Sequence, residues 1–174
     1  YIHNCAHALL AYVGYLLRYT YGYEALADPK VERMVRKGLA ESIAGIVHEY
    51  DADRRWLEDH VNDLLRRFRN RALGDTLFRL GRDPLRKLQP SDRLVGAARL
   101  AEKATGRPPE TLCLGIAAAL CFDAPEDPVA QSLQARRRES GPERILLETS
   151  DIAATEPLGR KILDIHSRLE PDPQ

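Results

Sequence analysis

Three cysteines, no surplus of either charge, no long apolar run and no G-x-G-x-x-G narrow this chain of 174 residues before any motif is read. Cys5, Cys113 and Cys121 are odd in number and lack metal-binding spacing. They argue against a disulfide framework and suit a reducing, cytoplasmic setting. Cys113 and Cys121 stand eight residues apart in one apolar run, about 12 Å of helical rise and too far for a disulfide. Lys plus Arg and Asp plus Glu number 26 each. That balance speaks against a dedicated nucleic-acid or anionic-membrane surface, though a local basic pocket remains open. No apolar run approaches the roughly 20 residues needed to cross a bilayer, and no signal-peptide pattern is visible. Without G-x-G-x-x-G, these residues hold no Rossmann dinucleotide fingerprint. Strand-type alternation, internal repeats and low-complexity segments are missing too.

What is present is the helical period, over a length sufficient for one domain with a proper core. A first helix is predicted from near His3 to Arg18, with Ala6, Leu9, Leu10, Val13, Leu16 and Leu17 on its apolar stripe. Asp28-Pro29 starts a second, with Val31, Val35, Leu39 and Ile43 inward, ending near Tyr50. A third covers about Arg54 to Arg69. The basic stretch Asn70 to Pro90 reads as a short helix around Asp75 to Leu80, then a turn at Gly81-Arg82-Asp83-Pro84. Pro90-Ser91-Asp92 reads as the cap of a helix reaching Thr105-Gly106. Glu110 to Phe122 is almost wholly apolar and is expected to be the central, most buried helix. Asp127-Pro128 starts another helix, broken at Ser140-Gly141-Pro142 with a short piece at Arg144 to Glu148. Glu156-Pro157 starts the last, ending near Leu169. The tail Glu170 to Gln174 is expected to fray. The expected fold is an all-α multi-helix bundle over residues 1–174.

Two constellations carry chemistry. Asn4 and His7, three apart on a helix, put an amide and an imidazole on one face. His3 and His7 have an i,i+4 spacing that can hold zinc, but no third ligand is evident, so no metal is expected. The second is Arg79-Leu80-Gly81-Arg82-Asp83-Pro84-Leu85-Arg86-Lys87-Leu88, followed by Asp92-Arg93-Leu94. Four cations in nine residues around Gly and Pro suit an oxygen-rich or anionic ligand. Taken alone, each also fits a bland reading: a helix cap with a packed histidine, and a solvated basic face.

Together, Asn-x-x-His and GRDPLRKL resemble the mannitol dehydrogenase family, long-chain polyol dehydrogenases that use a nicotinamide cofactor. The string and the downstream Asp-Arg-Leu are most similar to its mannitol-1-phosphate 5-dehydrogenase branch. Arg67-Phe68-x-Asn70, Gly115-Ile116-Ala117-Ala118-Ala119 and Asp127-Pro128 extend the resemblance over nearly the whole chain. Two positions depart from the family: Arg71 stands where Pro is common, and Ala6 where Gly is common.

The resemblance implies the following expectations. The family pattern is Lys-x-x-x-x-Asn-x-x-His, so a catalytic lysine would lie two residues before Tyr1. The chain then reads as the C-terminal substrate-binding half of an enzyme, inactive alone. NAD or NADP would be bound mainly by an N-terminal Rossmann domain absent from these residues. Asn4 would be an oxyanion donor and His7 would orient the reactive hydroxyl, near a helix start whose dipole favours negative charge. Arg79 and Lys87 would bind the polyol. Arg86 first, then Arg82 and Arg93, would hold a phosphate. The implied reaction interconverts a polyol (phosphate) and a keto-sugar (phosphate), above all mannitol 1-phosphate and fructose 6-phosphate. The alternatives are a free-mannitol or hexuronate dehydrogenase, or a non-catalytic helical interaction module. Partners would be the small substrate and the chain's own N-terminal domain, with neither nucleic acid nor membrane. Apolar surface left open by a missing half would also permit self-association.

Overall fold

The computed structural model describes residues 2–169, and all of their regular structure is helical. In chain order the helices are α1 (Ile2–Leu16), α2 (Gly22–Ala27), α3 (Pro29–Tyr50), α4 (Arg54–Phe68), α5 (Leu77–Gly81), α6 (Pro84–Lys87), α7 (Val95–Thr105), α8 (Glu110–Leu120), α9 (Pro128–Ser150) and α10 (Pro157–Leu169). A 3-10 turn covers Arg71–Leu73. Among the described residues the only strand-like pairing is an isolated bridge between Tyr21 and Thr76. The all-α expectation therefore holds. The fraying expected at 170–174 lies outside the described residues.

Local chemistry sets the helix starts. Asp28 accepts from Lys30 N at 2.7 Å with Pro29 at the first position of α3. Asp53 accepts from Arg55 N and Trp56 N at α4. Asp127 accepts from Val129 N at α9. Each satisfies N–H groups that have no partner within the helix. At α8 the cap comes from another helix: the Glu41 carboxylate on α3 accepts from Thr111 N and Leu112 N. Of the eleven residues of α8 only Glu110 and Leu114 are not buried. It is the core helix, as its apolar run implied, packed by α1, α3, α7 and α10. α3 and α7 approach closely because Gly45 faces α7, where a Cβ would lie 2.7 Å from Ala101 N.

Four details correct the sequence reading. α2 was not foreseen; six residues carry less than two turns of periodicity, and its start rests on Glu24 accepting from Tyr21 N. The turn at Gly81 to Pro84 is shorter than expected, because Asp83 caps a one-turn helix, α6, by accepting from Arg86 N at 3.3 Å. Asp92 does not cap α7 with its side chain, since its carboxylate is taken by Arg93 N at 2.6 Å and Arg93 Nε at 2.9 Å. α7 accordingly begins later, at Val95. Lastly, α9 resumes beyond its break at Gly141 (φ 80°, ψ 161°) and runs to Ser150, further than Glu148.

Candidate functional site

The site is built from the first turns of α1, the end of α4 and the segment from Asp75 to Arg93. Asn4 and His7 share one side of α1, as their spacing required. His7 lies flat on Phe68 of α4, with ring centroids 4.2 Å apart and planes 16° apart. His3 tilts against both rings, 4.6 Å from His7 and 5.8 Å from Phe68. The i,i+4 histidines therefore form a tilted pair, of which His7 stacks on Phe68. Asn4, Ser91, Asp92 and Arg93 line one open cavity of about 210 Å³.

The segment holding Arg79 and Lys87 is pinned from several sides. Thr76 caps α5 by accepting from Arg79 N at 3.1 Å. Leu77 N donates to Thr20 O, and Gly22 N to Asp75 O. The buried Tyr12 hydroxyl donates to Gly81 O at 3.0 Å. Gly81 also packs on Phe122, where a Cβ would come within 2.9 Å of the ring. Asp83 adopts a left-handed backbone (φ 59°), and its N donates to buried Asp127 at 2.8 Å. That second bond ties the start of α9 to the start of α6.

Lys87 is only 5 % exposed. Its ammonium donates to Arg82 O and sits 6.0 Å above the Tyr12 ring. Burial first, then the charges of Arg86 and Arg93, push its pKa down to about 8, against the opposing pull of Asp83 and Asp127. His7 is pushed down to about 4, by burial first, then by His3, Arg79, Arg93 and Lys87. That shift favours the neutral imidazole at physiological pH. The chemistry available is that of one neutral ring within the influence of Arg79, Lys87 and Arg93, beside a cavity lined by Asn4, Ser91, Asp92 and Arg93. It can hold an oxygen-rich, anionic molecule and stabilise negative charge on a reacting oxygen.

The predicted residues separate into two groups. His7, Arg79, Lys87 and Arg93 are near enough for the three cations to act on the imidazole, and Asn4 joins through the cavity it shares with Arg93. Arg79 is held by an ion pair with Asp75 and keeps a side chain 64 % exposed. Arg86 is turned to Asp83, at 3.1 Å from Nε. Arg82 is exposed, with no ion-pair partner among the described residues; no contact ties its guanidinium to His7. Arg71, the departure from the family pattern, stands at the first position of the 3-10 turn capped by Asn70. Proline also suits that position, and Arg71 instead reaches over the Tyr23 ring.

The sequence matches the family described as mannitol dehydrogenase C-terminal domain over residues 1–162. The chain belongs to that family. It is 42% identical over 156 residues to the mannitol-1-phosphate 5-dehydrogenase of Shouchella clausii (strain KSM-K16), covering 89% of this chain and 41% of the relative. The enzyme of that name from Bacillus subtilis (strain 168) is 38% identical over 160 residues, covering 92% of this chain and 42% of the relative. That from Caldanaerobacter subterraneus is 40% identical over 134 residues, 76% of this chain and 34% of the relative. The chain thus spans about two fifths of the length of these mannitol dehydrogenase relatives. No helix of the described residues is long and apolar enough to cross a membrane.

A Rossmann fold seats the pyrophosphate of a nicotinamide dinucleotide on a Gly-rich strand-to-helix turn. The chain has no such sequence, and the described residues no strand. From the sequence Phe68 is expected on the inward face of its helix and in a matching string but not against His7, and Tyr12 and Asp127 are not marked as supports of the site segment. Their partners Gly81 and Asp83 lie 69 and 44 residues away in sequence, and no local pattern marks such pairings.

Proposed function

We propose that this chain is the substrate-binding domain of an NAD(P)-dependent polyol dehydrogenase whose substrate is a phosphate ester. The reaction would interconvert mannitol 1-phosphate and fructose 6-phosphate. The observation that carries the reading is the cavity that Asn4 shares with Arg93, beside a His7 stacked on Phe68 and within the influence of Arg79, Lys87 and Arg93. The names of the relatives agree with a sugar-phosphate substrate.

In this reading the Asn4 amide donates to the carbinol oxygen as negative charge develops there, a role for a fixed donor. The uncharged His7 ring, clamped on Phe68, hydrogen-bonds the same hydroxyl and fixes its direction without adding a competing positive charge. Lys87 and Arg79 hold hydroxyls further along the polyol, which keeps the reacting carbon in one pose. The proton of the hydroxyl goes to a base outside these residues, the lysine that the Asn-x-x-His pattern implies upstream. A nicotinamide held outside this chain supplies the hydride chemistry. Lacking both, the 174 residues alone are proposed to have no turnover.

Arg93 is the leading phosphate ligand because it shares the cavity with Asn4; Arg93 and Arg86 are each paired with a carboxylate, Asp92 and Asp83, so the ion pairs do not rank them. The test is Arg93→Ala in the full-length enzyme. A charge-assisted Arg–phosphate contact contributes roughly 1.5–3 kcal/mol, about ten- to a hundredfold in affinity. The variant should lose that factor on fructose 6-phosphate and little on fructose. Equal losses on both sugars would show a general structural role, and a selective loss in Arg86→Ala instead would return the phosphate to Arg86.

A further inference from the structure

At the start of α1, Ile2, His3, Ile46, Tyr50, Trp56 and His60 line an apolar cavity of about 340 Å³ with no Lys, Arg, Asp or Glu in its wall. Trp56 and Tyr50 are 64 % and 60 % exposed, the most exposed large apolar side chains of the described residues. Trp56 is nonetheless ordered flat against His60, with centroids 5.6 Å and planes 4° apart. A pre-set aromatic pair rimming an uncharged groove is the make-up of a surface that another polypeptide covers.

The groove's place in the chain names the occupant. Its walls include Ile2 and His3, the first described residues. The family is a C-terminal domain, and the relatives are more than twice the length of the matched region. We infer that this groove is the seat of the preceding part of the longer polypeptide, an apolar side chain of which packs between Trp56 and Tyr50. The seat adjoins the site: His3 lies in the groove and also against His7 and Phe68. The segment that fills the groove therefore closes one side of the His7 stack. This inference uses family membership and geometry, and stands whether or not the substrate reading does.

Hydroxyl-radical footprinting of the full-length protein tests it, with Leu17 and Leu147, each 49 % exposed and outside the groove, as internal references. After correction for intrinsic reactivity, Trp56 and Tyr50 should react about tenfold more slowly than the references, the factor for an interface whose local opening costs about 1.4 kcal/mol. In Trp56→Lys, Tyr50 should become as reactive as the references. Wild-type Trp56 and Tyr50 as reactive as Leu17 and Leu147 would overturn the inference. So would protection that disappears on dilution, which would assign the groove to a second copy. Protection in Tyr50 that persists unchanged in Trp56→Lys would show that the aromatic pair does not anchor the covering segment. None of these readings depends on activity, so loss of the substrate assignment and loss of the seat are separate results.

Discussion

Phe68→Ala removes the ring on which His7 lies, and the consequence can be worked from the geometry. His7 is held at about 4 against an ordinary value of 6.5, with burial the largest cause and His3, Arg79, Arg93 and Lys87 following. Phe68, 4.2 Å away and nearly parallel, covers one whole face of the imidazole. Without it, water reaches that face and the desolvation falls, while the neighbouring charges stay. We expect the His7 pKa to rise by about one unit, to about 5, equivalent to about 1.4 kcal/mol of differential stabilisation. Phe68→Leu keeps an apolar cover and should move the value by much less. Imidazole resonances followed by NMR between pH 3.5 and 8 give the answer. The five histidines are few enough to resolve, and His7→Gln assigns the signal. A wild-type His7 titrating near 6.5, or a Phe68→Ala value identical to wild type, would refute the claim that the stack keeps the ring dry and neutral.

The remaining predictions concern stability. Because the folded pKa of His7 lies below its unfolded value, its contribution is intact above pH 6.5 and is lost as pH falls from there towards 4. After discounting for partial solvent access, urea unfolding at pH 4.5 and 7 should show wild type losing about 1–2 kcal/mol more than His7→Gln. Equal losses would contradict the assignment. Lys87→Met removes a buried ammonium whose pKa is pushed down to about 8. Even without the bond to Arg82 O, the fold should gain about 1–2 kcal/mol in chemical denaturation while the full-length enzyme loses substrate binding. A destabilised Lys87→Met would mean that the lysine serves the fold rather than the ligand.

The fold was legible wherever the chain carries long periods and explicit caps. Asp28-Pro29 and Asp127-Pro128 start α3 and α9 as read, and the unbroken apolar run from Glu110 marks α8 as the core. Elements of one or two turns, α2 and α6, were not, because their starts depend on single side-chain bonds from Glu24 and Asp83. Asp92 misled for a related reason: a capping residue type followed by arginine can pair with that arginine instead. In the site, Asn4 with His7 and Arg79 with Lys87 could be named from spacing and resemblance. Phe68 under His7, Tyr12 under Gly81 and Asp127 under Asp83 could not, since tertiary packing alone brings them together. The order of the phosphate candidates also turns on a feature that no spacing encodes, the cavity that Arg93 shares with Asn4.

The most direct test of the central claim is the ratio of kcat/KM for fructose 6-phosphate to that for fructose, measured on the full-length enzyme with NADH and with NADPH. The account predicts a ratio of about 100 or more, since a guanidinium–phosphate contact contributes up to about 3 kcal/mol and a second cation adds to it. A ratio near one, or turnover of free fructose or a hexuronate with none of the phosphate ester, would contradict it.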